Sequence, residues 1–184
     1  MTSPPLPWPD DDPLAGSVRL RAFTERDVDM VVELSGDPYV PLTGSLPPHC
    51  DRHDARAYIE RQHDRARTGY GWSFCIADAD SDEPLGQAGL WLAGLPGGRA
   101  AAGYCVAPPH RGRGRARDAL VALTAFAWRV PDLHRVELYI EPWNQASVRT
   151  AEAAGYGREG LLRRHQEIGG RRVDMLIFGA LRPE

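Results

Sequence analysis

The 184 residues are about the size of one ordinary domain and can bury a sizeable core. A formal charge of -3 and a pI near 6.1 exclude a chain that is basic throughout and holds polyanions in one broad positive field, so any anion site must be local. Cys50, Cys75 and Cys105 are odd in number, widely spaced and without a CxxC pair, which argues against a disulfide framework or a zinc ribbon.

Residues 1–16, "MTSPPLPWPDDDPLAG", mix prolines with an Asp run and have no apolar period, so they read as a disordered or extended leader before a domain at 17–184. The cysteine pattern fits a reducing cytoplasm, and because the N-terminus lacks a basic stretch followed by an apolar one and no apolar run reaches bilayer length, no membrane association is expected. "VRLRAFT" from Val18 alternates as a half-buried strand, and Thr24 with Asp27 opens a helix carrying Val28, Val31, Val32 and Leu34 until Gly36 and Pro38. "GDPYVPLTGSLPPHC" is a long loop of turn formers and a candidate substrate loop. Asp51 or Asp54 then starts a second helix with Ala55, Tyr58, Ile59 and His63, ended by Gly69.

Three strand-like runs follow, from Gly71, Pro84 and Arg99, separated by "DSDE" and "PGGR" as in an antiparallel meander. "RARDALVALTAFAWRV" changes to helical period, with Ala119, Leu120, Leu123, Ala127 and Trp128 on one face. "HRVELYI" is a strand, "NQASVRTAEAAG" a helix closed by Gly155, and the chain ends in one or more strands that include "RRVDMLIFGAL". This order predicts a mixed α/β domain on one central sheet.

The strand ending at Val106 passes through Pro108 and Pro109 into "HRGRGRA" and then a helix. Glycines let several backbone N–H groups aim at one point, and the helix start adds partial positive charge, so the segment describes a cradle for a diphosphate. A Walker loop fails because Gly114 is followed by Arg115-Ala116 rather than Lys and Ser or Thr. A dinucleotide fingerprint lacks its third glycine, Arg117 standing there, and an arginine-rich nucleic-acid arm would extend further in a more basic chain. No nucleic-acid partner is expected. His49, Cys50 and His53 lack the ligand count and spacing of a metal site.

Arg111-x-x-Gly114-x-Ala116 resembles the signature of the GNAT superfamily of acyl-CoA-dependent acetyltransferases. With "GYCVAPPHRGRGRARDAL" around it and "HRVELYIEPWNQASVRTAEAAGYGREG" after it, residues 18–181 look like the RimJ/RimL-type branch. The resemblance implies a single GNAT-like domain, its mixed, mostly antiparallel sheet splayed between the fourth and fifth strands and flanked by helices, with acetyl-CoA as cosubstrate and no metal. It implies that backbone groups of Cys105 and Val106 pair with the pantetheine arm and that Arg111, Gly112, Arg113, Gly114, Arg115 and Ala116 bind the pyrophosphate. It places Asn144 on the pantetheine and Ser147 at the thioester sulfur.

Acetyl transfer to an amine needs an uncharged nucleophile, a polarised carbonyl and a proton for the departing thiolate. Ser147 reads either as the sulfur contact or as a helix cap beside Asn144. Glu137 shares a strand face with Tyr139 and Glu141 and reads either as the base or as a solvent-facing residue. Gln166 and Glu167 stand where some relatives carry an acid, His165 and His49 can titrate near neutrality, and Asp174 matches a family aspartate on the acceptor side. Tyr39, His49 and Trp91 are candidates for the acceptor pocket. The expected activity is transfer of acetyl from acetyl-CoA to a primary amine, on a protein N-terminus or a small molecule, by a monomer or homodimer. A non-catalytic acyl-CoA-binding or interaction module, or a transferase of a larger acyl group, is the alternative.

Overall fold

The computed structural model describes residues 4–184. A two-residue strand, β1 (Leu14–Ala15), pairs with β2 (Val18–Arg21), and the chain then crosses one face of the sheet as helices α1 (Val28–Ser35) and α2 (Arg52–Arg67). Thr24 and Asp27 do mark the start: the Thr24 N–H donates to Asp27 Oδ2 at 2.8 Å, and a short 3-10 turn over Glu25–Asp27 leads into α1. Of the two candidates for opening α2, Asp51 is the cap, accepting from the Asp54 N–H at 2.9 Å.

The meander is β3 (Gly71–Asp78), β4 (Pro84–Trp91) and β5 (Arg99–Val106), each antiparallel to its predecessor. Helix α3 (Arg115–Ala127), strand β6 (Arg135–Ile140) and helix α4 (Gln145–Ala153) follow, and the chain closes with a hairpin of β7 (Gly157–Ile168) and β8 (Arg171–Leu181). The end of the chain is thus two long strands, with β8 returning to lie between β6 and β7 in the order β1-β2-β3-β4-β5-β6-β8-β7.

Strand β3 is buried on both faces, which is why "WSFCIA" reads as a continuous apolar run rather than an alternation. Phe74 and Ile76 join Leu90, Leu120, Leu123, Phe126 and Phe178 beneath α3 and α4. Cys75 points the other way, to Val28, Val31, Leu34, Tyr58 and Ile59 beneath α1 and α2. Part of the proline-rich leader lies along this body: the Leu6 N–H donates to the Ala66 carbonyl at 2.9 Å, the Trp72 indole donates to the Pro7 carbonyl at 3.0 Å, and Trp8 packs on Phe74 with ring centres 5.0 Å apart. Residues 1–3 lie outside the described residues.

The feature that shapes the site is the junction of β5 and β6. The two strands run parallel and pair only as Arg99 with Arg135, Ala100 with Val136 and Ala101 with Glu137. Beyond that vertex β5 stays with β4 as far as Val106, while β6 stays with β8 as far as Ile140, so a gap opens in the sheet. These are the fourth and fifth long strands of the chain, numbered one higher because of the short β1.

At the far edge, Arg21 donates to both oxygens of fully buried Asp27, at 2.7 and 2.8 Å, and to Asp82 Oδ1 at 2.6 Å. Removing the cation strands a buried carboxylate, so Arg21→Met is expected to cost about 3–5 kcal/mol of unfolding free energy, measured by urea titration. Arg19 first and Arg21 next outweigh partial burial and hold Asp82 down at about 2. A depressed folded-state carboxylate stabilises fully above its unfolded value, about pH 4, and loses that contribution as pH falls toward its folded value. Acid titration of stability should therefore steepen below pH 4 (about the unfolded Asp value) in the native chain and flatten there in Asp82→Asn.

Candidate functional site

The gap between β5 and β6 is the middle of a cleft of about 990 Å³ that passes from the α3 and α4 face of the sheet to the α1 and α2 face. Its first end is the glycine-rich turn. Gly112 and Gly114 both have φ +76, a left-handed backbone that costs an L side chain about 1–2 kcal/mol, and a Cβ at either would meet nothing within 4 Å. The glycines are there for conformation, not for space. Gly114 is the residue before α3 and offers no side-chain cap, so the first-turn amides of Arg115, Ala116 and Arg117 face the cleft mouth without intrahelical partners. Such a helix start suits an anion through its backbone alone.

The arginines around it are mostly committed elsewhere. Arg111 donates through Nε to the Val106 carbonyl at 2.7 Å and through Nη2 to Asp37 at 2.7 Å. Arg115 pairs with Asp78 at 2.7 Å, and Arg117 with Asp118 at 2.6 Å. Arg113 alone of the four has no ion pair among the described residues. Arg111 therefore braces the turn, and because it occupies the Val106 carbonyl, that expected pantetheine contact has an intramolecular competitor.

In the gap, Asn144 caps α4, its Oδ1 accepting from the Ser147 N–H at 3.1 Å. Ser147 is thus the third residue of the helix and not its cap, and its side chain lines the cleft. Tyr104, from β5, reaches across to it, its hydroxyl donating to the Ser147 carbonyl at 3.4 Å. Burial pushes the Tyr104 phenol up, against opposing contacts with Ser147 and Thr150, so the hydroxyl keeps its proton at neutral pH. Cys105 also lines the cleft, but burial, only partly offset by Arg111, pushes its thiol up to about 12. It is a protonated thiol and a poor nucleophile.

On the α1 and α2 face, β6 presents Glu137 and Tyr139, Glu141 follows just past the strand's end, and the structure separates the two acids. Glu137 does not line the main cleft. It sits at the vertex in an adjoining recess of about 300 Å³, where its Oε1 accepts from Arg135 at 2.7 Å and its Oε2 from Tyr139 at 2.8 Å. Burial raises its carboxyl, yet these bonds and the charges of Arg135 and Arg99 outweigh burial and hold it below the usual range. A carboxylate with both oxygens occupied and a lowered proton affinity is badly suited to be a base. Glu141, four residues on, is 6% exposed, lines the cleft, and accepts a single bond, from the Tyr39 hydroxyl at 2.7 Å. Burial and that carboxylate push the Tyr39 phenol up, so Tyr39 stays a donor.

The loop at residues 36–50 lies over this mouth: Tyr39 stands edge-on to Trp143 at 5.0 Å, and Leu42 reaches the Gly169 turn of the β7–β8 hairpin. Tyr39 and Trp91 both line the cleft; His49 does not, because it is exposed on the outer side of that loop, with its backbone N–H on the Ser35 carbonyl at 2.9 Å. Gln166 lines the cleft while Glu167 is exposed, His165 stacks on Tyr139 at 5.1 Å, and Asp174 accepts the Arg164 N–H at 2.8 Å across a bulge of the hairpin. Trp91 lies across the facing pair Gly89 and Gly103, where a Cβ would stand 2.9 and 2.6 Å from the indole.

A family model described as an acetyltransferase (GNAT) domain matches residues 17–157. The chain belongs to the GNAT acetyltransferase family. It is 30% identical over 165 residues to the uncharacterized N-acetyltransferase p20 of Bacillus licheniformis, covering 90% of this chain and 93% of that one. RimJ of Mycobacterium smegmatis, solved with a CoA-disulfide, is 27% identical with a TM-score of 0.76 over 95% of this chain and 88% of its own. A chimera of spermidine N-acetyltransferase SpeG from Vibrio cholerae superposes with a TM-score of 0.71 at 22% identity, over 90% and 96% of the two chains. This GNAT protein is accordingly an N-acetyltransferase with acetyl-CoA as cosubstrate, and no group of metal-ligating side chains occurs among the described residues. No helix among them is long and apolar enough to cross a membrane.

If backbone conformation makes the anion site, Gly114→Val should weaken CoA binding about tenfold or more, equivalent to about 1.4 kcal/mol. Arg113→Ala should weaken it by a smaller factor and mainly at low salt. Calorimetric titration with CoA at two ionic strengths measures both.

Proposed function

We propose that this GNAT acetyltransferase seats the diphosphate of acetyl-CoA on the amides from Gly112 to Ala116, runs the pantetheine through the gap between β5 and β6, and presents the thioester to a primary amine entering beneath α1 and α2. The observation that carries the reading is the continuity of one cleft from the uncapped start of α3, past Asn144 and Ser147, to Glu141 on the opposite face of the sheet. Transfer is direct. Holding amine and thioester in one narrow passage supplies most of the rate, because it turns an encounter into an intramolecular step.

Ser147 donates a hydrogen bond to the thioester sulfur as the C–S bond breaks and CoA leaves as a thiolate that takes its proton from solvent, while the Tyr104 hydroxyl holds the Ser147 carbonyl in place. Glu141 takes the proton that the amine sheds, held in place by Tyr39. This moves the role of base from Glu137 to Glu141. The buried thiol of Cys105 takes no part as a nucleophile, which favours attack without an acyl-enzyme. Three cysteines without a disulfide are consistent with a reducing cytoplasm.

Release of free CoA in the presence of a panel of primary amines tests the reading; tight CoA binding with no release from any amine would reject it. Glu141→Gln is expected to lower kcat about 10²-fold, while Glu137→Gln lowers it far less. Ser147→Ala should reduce kcat about tenfold, since one hydrogen bond to the leaving group is lost.

A further inference from the structure

We infer that the acceptor carries an oxyanion at the end remote from its amine and that Arg65 receives it; this rests on the transferase reading above. Arg65, in the last turn of α2, is half-buried and lines the cleft on the α1 and α2 face. Its guanidinium lies 5.7 Å from the ring centre of Trp91 and 5.8 Å from that of Tyr70, and its one polar contact is a 3.4 Å bond from Nη2 to Ser45 Oγ. Among the described residues it has no carboxylate partner, in contrast to Arg111, Arg115 and Arg117 at the other end of the cleft. Arg61, one turn earlier, stacks on Tyr58 at 5.6 Å and likewise has no ion pair among the described residues.

This cation is too far away to serve the cosubstrate's diphosphate. Trp91 faces Ala101 on β5, whereas the phosphate turn follows Val106; five strand residues at about 3.3 Å each put about 17 Å between them. The ring partners of Arg65, Trp91 and Tyr70, instead line the recess of about 300 Å³ at the vertex, which shares Trp91, Ala101 and Tyr139 with the main cleft and so extends it beyond the reacting centre. The other charges at the recess offset one another: Glu137 and Glu159 both bond Arg135, and Arg99 lies 4.0 Å from Glu137. Glu141 is farther along the chain, just past the end of β6, on the amine side. Arg65 is the uncompensated charge at this end, pinned by aromatic rings with its donors free to meet a carboxylate or phosphate. A second ammonium there would be repelled by Arg65.

The test compares three acceptors of one length, 6-aminohexanoate, 1,6-diaminohexane and hexylamine, by CoA release at saturating acetyl-CoA and by calorimetric binding to the CoA-loaded protein. The tripeptide amides Ala-Glu-Gly and Ala-Lys-Gly, run in parallel, separate a peptide source of the anion from a free small molecule. The expected result is a kcat/KM for 6-aminohexanoate about tenfold above that for the diamine, carried by KM. Arg65→Gln should collapse this preference and Arg65→Lys should restore most of it. Preference for the diamine, or an equal loss for all three acceptors in Arg65→Gln, overturns the inference. Turnover that ignores acceptor charge leaves the transferase reading standing and rejects this one. Arg65-dependent binding of 6-aminohexanoate without CoA release from any amine does the reverse.

Discussion

Everything in the site depends on two parallel strands that pair for three residues and then stop. Each is held by its other neighbour, β5 by β4 and β6 by β8, so neither can follow the other across the gap. Unpaired backbone inside a protein demands partners. A long polar arm with amide groups, such as pantetheine, supplies them, and it can traverse a sheet only where the sheet is open. The insertion of β8 between β6 and β7 anchors β6 along its whole length, while the side facing β5 stays free beyond Glu137.

The same geometry divides work between backbone and side chains. At the phosphate end the arginines suggest a basic patch, yet Arg111, Arg115 and Arg117 are paired with Asp37, Asp78 and Asp118. They fix the turn so that its amides converge, and their charges are largely neutralised where they stand. This reconciles a local anion site with a net charge of -3. Asp37 belongs to the loop that also carries Tyr39, so the brace on the phosphate turn and the donor to Glu141 are two residues apart. The loop thus ties both ends of the cleft together.

Much of this was legible in the sequence because it rests on local rules. Thr24 with Asp27, an aspartate at 51 or 54 for α2, and glycines before α3 each announce a backbone event within a few residues, and the structure has all three, with Asp51 as the α2 cap. The splay was implied by family resemblance, since nothing in strand periodicity says where two strands cease to pair. Two-residue alternation correctly put Glu137 and Glu141 on one face, but alternation cannot tell one site on a face from another. The distinction is set by distance from the vertex: Glu137 is in the last paired position, beside Arg135 and under Arg99, and Glu141 is four residues beyond it, opposite the loop. His49 failed as a pocket residue for a similar reason. Its loop does cover the cleft, but a loop has an inside and an outside, and chemistry at neutral pH does not fix which way a residue faces. Arg65 gave no signal at all, because one arginine among many in α2 becomes notable only when Trp91 settles over Gly89 and Gly103 beside it.

That indole links the main cleft to the recess at the vertex. Its position requires two glycines opposite each other on neighbouring strands, an arrangement that sacrifices side-chain packing in the middle of a sheet. The ring fills that space, forms a wall common to the main cleft and the recess, and gives Arg65 a flat surface to rest on. A cation held this way keeps its donors directed into the cleft, whereas an ion-paired arginine has already spent them. On the reading proposed above, that charge stands at one end of the acceptor passage and the Glu141 carboxylate, held by Tyr39, at the other. An acceptor aligned by both would enter amine-first toward the thioester, with its opposite charge left behind at the vertex.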